Sequence, residues 1–377
     1  MRHYMHLSDS ELNKLFYIKP ETFDNKTKKS QLRYALGATL YLPATKYIAP
    51  YLLEKRFSHL TSFVMCFENL IEEKNINIAE KTLLNTLRTL KMAENENRIN
   101  KDELPLFFIH VKDANQFEKL YELLVKEKDI ISYISGFFLP KFSSFNSKAY
   151  LNIMNKIRSI SKYIYALPII ENKNILLPSS RISELIELEK IIYEFRDMIL
   201  GIRIGGSYIS STLGLNLDES ISIYDIGISS SIVYDVINTF INLSYNDIAI
   251  YSSFWNKKIP SFKNISKNNI IFDQNKIIHN KAFTHEPSID GFVREILLDR
   301  LNGCVGKAVM YPNQISIVNA LYTINKKSYE DAVDILKSNE NNNNSKEIQN
   351  IIWANKIINL SYLYGVLNDN YSAIDLF

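Results

Sequence analysis

The chain has 377 residues, enough for one large domain or two ordinary ones, and its 46% apolar and 12% aromatic content suits a packed core and argues against disorder. Lys plus Arg number 44 and Asp plus Glu 41, a net charge of +3 spread along the whole length, which excludes the clustered basic face of a nucleic-acid binder. The short lysine-rich stretches "NKTKKS" (25–30) and "NKKIPSFKNISKNN" (256–269) are rich in Asn and Ser and read as solvated loops.

The start, "MRHYMHLSDSELNK", lacks the apolar region of a secretory signal. Residues 1–35 precede the first strand signal and read as an extension that forms a lid or a plug. Short apolar runs then alternate with helical patterns. The runs are "ATLYLPAT" (38–45), "SFVMCFENL" (62–70), "LPLFFIHVK" (104–112), "ISGFFLPKF" (134–142), "IYALPIIEN" (164–172), "MILGIRIGG" (198–206), "DIAIYSSFW" (247–255) and "GCVGKAVMYP" (303–312). Helical periodicity follows at 113–129, opened by the cap-competent Asp113, and again at 180–195, 287–302 and 313–339, the last with a break near Lys326. The polar tract "NENNNNSK" (339–346) reads as a linker to one more helix at 347–367. No run approaches the roughly 18 apolar residues of a membrane span. The two cysteines, Cys66 and Cys304, sit inside apolar runs and read as reduced core residues of a cytosolic protein.

Alternating strand and helix implies a parallel sheet, and eight repeats in about 280 residues is the count of a (β/α)8 barrel. The expected division is an extension over 1–35, a barrel over 36–338 and a linker plus helix over 339–377. Barrel enzymes place their chemistry at the C-terminal strand ends. Polar residues gather there: Thr45 and Lys46, Glu68 and Asn69, His110 and Lys112, Lys141, Glu171 and Asn172, Arg203 with Ser207 and Tyr208, then Lys307, Tyr311 and Gln314. In the sixth run, side-chain alternation turns Arg203 into the barrel with Gly201 and Gly205. A buried arginine needs a carboxylate or an anionic ligand. Glu171 is the candidate ligand for a hard ion such as Mg²⁺, which favours carboxylate oxygens. The sequence has no HExxH, GxSxG, P-loop or CxxC pattern, so the zinc-protease, serine-hydrolase, P-loop and thiol-redox readings have no support.

An ordered set of segments resembles the HpcH/HpaI aldolase and citrate lyase β-subunit family, closest to its TIM-barrel carbon–carbon bond lyases linked to tellurium-resistance operons. The set is "LYLPATK" (40–46), "FVMCFENLI" (63–71), "GFFLPKF" (136–142), "LPIIE" (167–171), "ILGIRIGGSYISSTLGL" (199–215) and "NGCVGKAVMYPNQI" (302–315). The last is similar to that family's G-x-x-G-K-x-x-I-H-P-x-Q-I element. The resemblance implies a lyase cleaving a 2-oxo acid or acyl thioester through a metal-stabilised enolate, usually with Mg²⁺. It implies Glu171 as metal ligand and an aspartate where this chain has Tyr208. It further matches Asn69 to an acidic residue, His110 to a substrate-clamping arginine and Tyr311 to the histidine of the final element. By this reading Glu68, Lys141, Arg203 and Tyr208 are catalytic, and Lys46, His110, Lys307 and Gln314 bind substrate. A cytoplasmic homo-oligomer is implied, with partner enzymes of a biosynthetic operon. Two other readings stay open: an anion-binding or scaffold barrel that has lost lyase chemistry, and a metal-free reaction using Tyr208 and His110 as proton donors.

Overall fold

The computed structural model describes residues 1–56, 59–215, 218, 220–244, 248–255, 257–261, 274–279, 284, 286–339 and 345–377. Parallel strands β1 (Gly37–Pro43), β2 (Ser62–Cys66), β3 (Leu106–His110), β4 (Gly136–Leu139), β5 (Tyr165–Ile170), β6 (Gly201–Ile204), β7 (Ala249–Trp255) and β8 (Gly306–Val309) pair in sequence. β8 returns to β1 with Gly306 opposite Gly37, so the sheet closes. The protein is the (β/α)8 barrel that the alternation predicts. Its strands are nearly continuous apolar runs because both of their faces are buried, one in the barrel and one under helices.

The outer helices include α1 (Ile76–Asn95), α2 (Ala114–Leu124), α3 (Ser147–Arg158), α4 (Pro178–Glu194), α5 (Gly227–Ser244) and α6 (Pro287–Leu301). Asp113 caps α2 by accepting the Gln116 N–H at 2.8 Å, and Phe117, Leu120 and Leu124 form its buried stripe. Pro178 and Pro287 open α4 and α6 where the missing N–H has no helical partner to lose. The predicted break near Lys326 is a two-residue strand, Ile324–Asn325, between helices Ile315–Leu321 and Lys326–Asn339. That strand joins Phe16–Ile18 and Val366–Leu367 in a small second sheet.

Inside the barrel, large and small side chains alternate. Tyr251 lies across the narrow end, and a Cβ on Gly201 would meet its ring at 2.6 Å, so only glycine leaves it room. Above it the aromatic rings of Tyr41, Phe108, Phe138 and Phe254 meet at centroid distances of 4.4–5.8 Å. The first residues plug the N-terminal end, where the Tyr251 hydroxyl donates to Arg33 O at 2.8 Å. The His3 ring stacks on Tyr364 at 4.2 Å, and the Tyr4 hydroxyl donates to the Asn319 carbonyl at 2.8 Å. The extension is therefore a plug, not a lid over the C-terminal rim. Helix Ser345–Tyr364 packs back on this same end, with the Tyr364 hydroxyl donating to Tyr34 O at 3.0 Å. Most of the lysine-rich stretch 256–269 and of the linker 339–346 lies outside the described residues. Among the described residues no helix is long and apolar enough to cross a membrane.

Candidate active site at the barrel rim

Four charged or ionisable groups form a chain across the ends of β2, β3 and β4. Cys66 and His110 are the last residues of their strands and sit opposite each other in the register. Cys66 Sγ lies 3.4 Å from His110 Nδ1. His110 Nε2 lies 3.3 Å from Glu68 Oε2, and Glu68 Oε1 accepts from the Lys141 ammonium at 2.6 Å. Lys141 follows β4 with φ of +47°, a left-handed conformation that costs a lysine about 1–3 kcal/mol. The strain is held because the Lys141 N–H donates to Glu171 Oε1 at 3.3 Å while the side chain swings to Glu68. Its ammonium also stands 5.9 Å from the Tyr208 ring centre. Lys141 is thus the cation between Glu68, Glu171 and Tyr208.

The charges shift one another. Burial favours the neutral forms of His110 and Cys66, yet the mutual attraction and hydrogen bond of the pair outweigh it. With Glu68 adding its pull, His110 is raised to about 9 and the Cys66 thiol falls below its ordinary value. Burial alone would raise Glu68, but the charge of nearby His110 and the charge and hydrogen bond of Lys141 bring it below the usual carboxylate range, although His110 Nε2, 3.3 Å away, makes no hydrogen bond of good geometry. Glu171 goes the other way: burial first, then repulsion from Glu68, push it up.

Arg203 occupies the barrel axis below this chain. It is 2% exposed, and its guanidinium carbon lies 3.9 Å from the Phe254 ring centre and 4.5 Å from that of Tyr41. One terminal nitrogen donates to the Tyr41 hydroxyl, and Nε is buried without a hydrogen-bond partner. Among the described residues no carboxylate forms an ion pair with it. Stacking on aromatic faces offsets part of the burial of this charge but cannot replace an anion.

The rim therefore brings together Glu68, His110, Lys141, Glu171, Arg203 and Tyr208. Two expected residues, Lys307 and Gln314, are engaged elsewhere, and a third, Lys46, follows the end of β1 without pairing with the rim carboxylates among the described residues. In β8 the inward positions are Gly306, against Tyr251, and Ala308, so alternation turns Lys307 outward onto α6. There its ammonium sits 2.8 Å from both Glu295 and Asp299, and it is a structural cation, not a substrate contact. Gln314 spends its amide on the backbone: Oε1 accepts from Met310 N at 3.0 Å and Tyr311 N at 3.2 Å, and Nε2 donates to Lys257 O at 2.9 Å. Lys46 lies over the Tyr51 ring at 5.2 Å and makes no ion pair with the rim carboxylates among the described residues. Sequence reasoning missed Cys66, taken for a core thiol, and Tyr41. The available signal was parity: alternation from Ser62 through Val64 turns Cys66 inward at a strand end.

Gly205 shapes the Glu171 side. A Cβ there would collide with the Glu171 side chain, which packs directly on the glycine backbone. Gly205→Ala is expected to displace Glu171 and to cost about 1–3 kcal/mol of stability, read as a lower urea midpoint at unchanged slope. A variant as stable as wild type would show that Glu171 has room to move.

The donor set does not fit Mg²⁺. Such an ion wants several oxygen ligands in near-octahedral geometry. Both oxygens of Glu68 are engaged by cations, Glu171 is pushed toward its neutral form, and position 208 offers a phenol in place of a carboxylate. Among the described residues no group of three or more His, Cys, Asp or Glu side chains could hold a metal. Lys141 already supplies positive charge where a dication would compete. Tyr208→Asp should therefore tighten Mg²⁺ or Mn²⁺ binding by calorimetry, about tenfold or 1.4 kcal/mol, and more when combined with Lys141→Met. Flat affinity in both variants would mean that residue 208 does not face Glu171.

A closed parallel barrel with ionisable side chains gathered at the C-terminal strand ends has the layout in which TIM-barrel enzymes carry their chemistry. Residues 30–366 match the family described as C–C bond lyases of the TIM-barrel fold, and the chain belongs to that family. Among solved structures it is similar to CitE from Mycobacterium tuberculosis in complex with magnesium, acetoacetate and coenzyme A. That match has 11% identity, a TM-score of 0.48, and covers 87% of this chain and 99% of the other. It is also similar to an HpcH/HpaI aldolase from Desulfitobacterium hafniense, with 10% identity, a TM-score of 0.40, and coverage of 75% and 89%. No curated protein matches the sequence.

Proposed function

We propose that the protein cleaves, or in reverse forms, a carbon–carbon bond in a small anionic 2-oxo acid or acyl thioester bound at the rim. The observation that carries this reading is Arg203, a buried cation without a carboxylate partner among the described residues, at the base of a polar rim. An anionic substrate supplies the missing charge. Breaking a bond next to a carbonyl leaves an enolate, whose oxyanion must be stabilised. Fixed cations do this without reorganising, and Lys141 and the His110 imidazolium are held in place by Glu68. Tyr208, half-buried beside Lys141, is positioned to donate a proton to the departing carbanion. A cavity of about 260 Å³ is lined by Ser207, Ser210, Ser253 and Phe254, the last of which packs on Arg203, and offers room for the rest of a substrate.

The test is a panel of 4-hydroxy-2-oxo acids and 3-hydroxyacyl thioesters incubated with the full chain, with products identified by mass. Cleavage that is lost in Lys141→Met supports the reading. Anion binding without any cleavage would favour the scaffold alternative, and neither binding nor cleavage would remove both.

A further inference from the structure

The geometry points to Cys66 as a nucleophile that takes the acyl group of an acyl thioester, with His110 as its proton partner and Glu68 as the residue that orients His110. This deepens the proposed function, and it rests on the acyl-thioester arm of that reading. The three residues have the order of a nucleophile, a base and an orienting carboxylate, at 3.4 Å and 3.3 Å. They come from two adjacent strand ends, buried just beneath the C-terminal rim where chemistry sits in this fold. A packed neutral His–Cys pair would need no carboxylate behind it. Here the carboxylate is present, 8% exposed, and clamped by a lysine whose backbone is strained to reach it. The other cysteine shows the contrast. Cys304 is buried near Asp299, Lys356 and Tyr224, and burial pushes its thiol up.

The step balances without a further reactant. The Cys66 thiolate adds to the thioester carbonyl carbon, forming the Sγ–C bond. The C–S bond to the leaving group breaks, and the departing thiolate takes the proton from the His110 imidazolium. The products are acyl-Cys66, neutral His110 and a free thiol, with no change in oxidation state.

The probe is S-acetyl-N-acetylcysteamine, added to the folded full-length protein and followed by intact mass, peptide mapping and thiol release. The expected result is a single acetyl group on the peptide carrying Cys66, unchanged in Cys304→Ser and absent in Cys66→Ser and Cys66→Ala. His110→Gln should slow acylation on the order of 100-fold. Circular dichroism melts establish that each variant is folded. Acetylation found only on unfolded protein, or at equal rate in folded His110→Gln, overturns the inference. The two readings fail separately. Carbon–carbon cleavage without acyl-Cys66 sinks the nucleophile alone, whereas acyl-Cys66 without cleavage sinks the lyase alone.

Discussion

Lys307→Met is expected to destabilise the protein by about 3–5 kcal/mol, the largest stability loss of any single change considered. The ammonium has no solvent exposure and sits 2.8 Å from Glu295 and 2.8 Å from Asp299, themselves 5% and 2% exposed. Methionine fills similar space, so the effect is not a cavity. It strands two carboxylates in a dry layer between β8 and α6. They have further donors, Ser222 Oγ at 2.9 Å to Glu295 and the Tyr224 hydroxyl at 2.8 Å to Asp299, but no other cation pairs with them among the described residues. The pH dependence has a definite sign. Burial first, and then repulsion from Glu295, already raise Asp299, although Lys307 pulls the other way. Without Lys307 that pull disappears and Asp299 favours protonation further. A group whose folded pKa is raised contributes stability below its unfolded pKa and loses it as pH rises through the folded value. The deficit of the variant should therefore shrink toward pH 4–5 and grow toward pH 8. Urea unfolding at both pH values measures it. Adding Glu295→Gln and Asp299→Asn should recover most of the loss. A cost under about 1 kcal/mol at pH 8 would show that water reaches this layer.

That triad also shows where the sequence stopped being informative. The eight strands, their order and the closed barrel were legible because each strand is an apolar run of the right length between helical patterns. Positions fixed by strand parity in β6 were legible too: Gly201, Arg203 and Gly205 all face inward. The same rule applied to β8 would have turned Lys307 outward, but the match to a sequence element drew it to the rim instead. Partners were not legible. Nothing local marks Glu295 and Asp299, acids one turn apart in the second half of α6, as buried beneath a lysine. Nor does a single sequence reveal that Cys66 lies opposite His110, because register between strands is set by packing along the whole barrel. The extension was ambiguous for a related reason. A segment before the first strand can reach either end of the barrel, and the aromatic contacts of His3 and Tyr4 that choose the lower end are long-range.

Arg203→Met is expected to separate stability from function. Activity on an anionic substrate should fall by about 30-fold to a few thousand-fold, since removing one partner of a buried charge contact costs about 2–5 kcal/mol. The melting temperature should stay level or rise. In the free protein Arg203 is a cation surrounded by Tyr41, Phe138 and Phe254, with an unpartnered Nε and no ion pair among the described residues. Replacing such a charge with a hydrophobe of similar volume is often neutral or stabilising. Methionine suits the box because its thioether packs well against aromatic rings. A residue kept against the interest of folding is kept for what it binds. The measurement is a thermal melt alongside affinity for a small 2-oxo acid, with the Lys307 variant as the opposite case, destabilised while the rim stays intact. If Arg203→Met instead melts far below wild type and keeps its affinity, the guanidinium is a structural post held by Tyr41, and the central cation no longer argues for an anionic substrate.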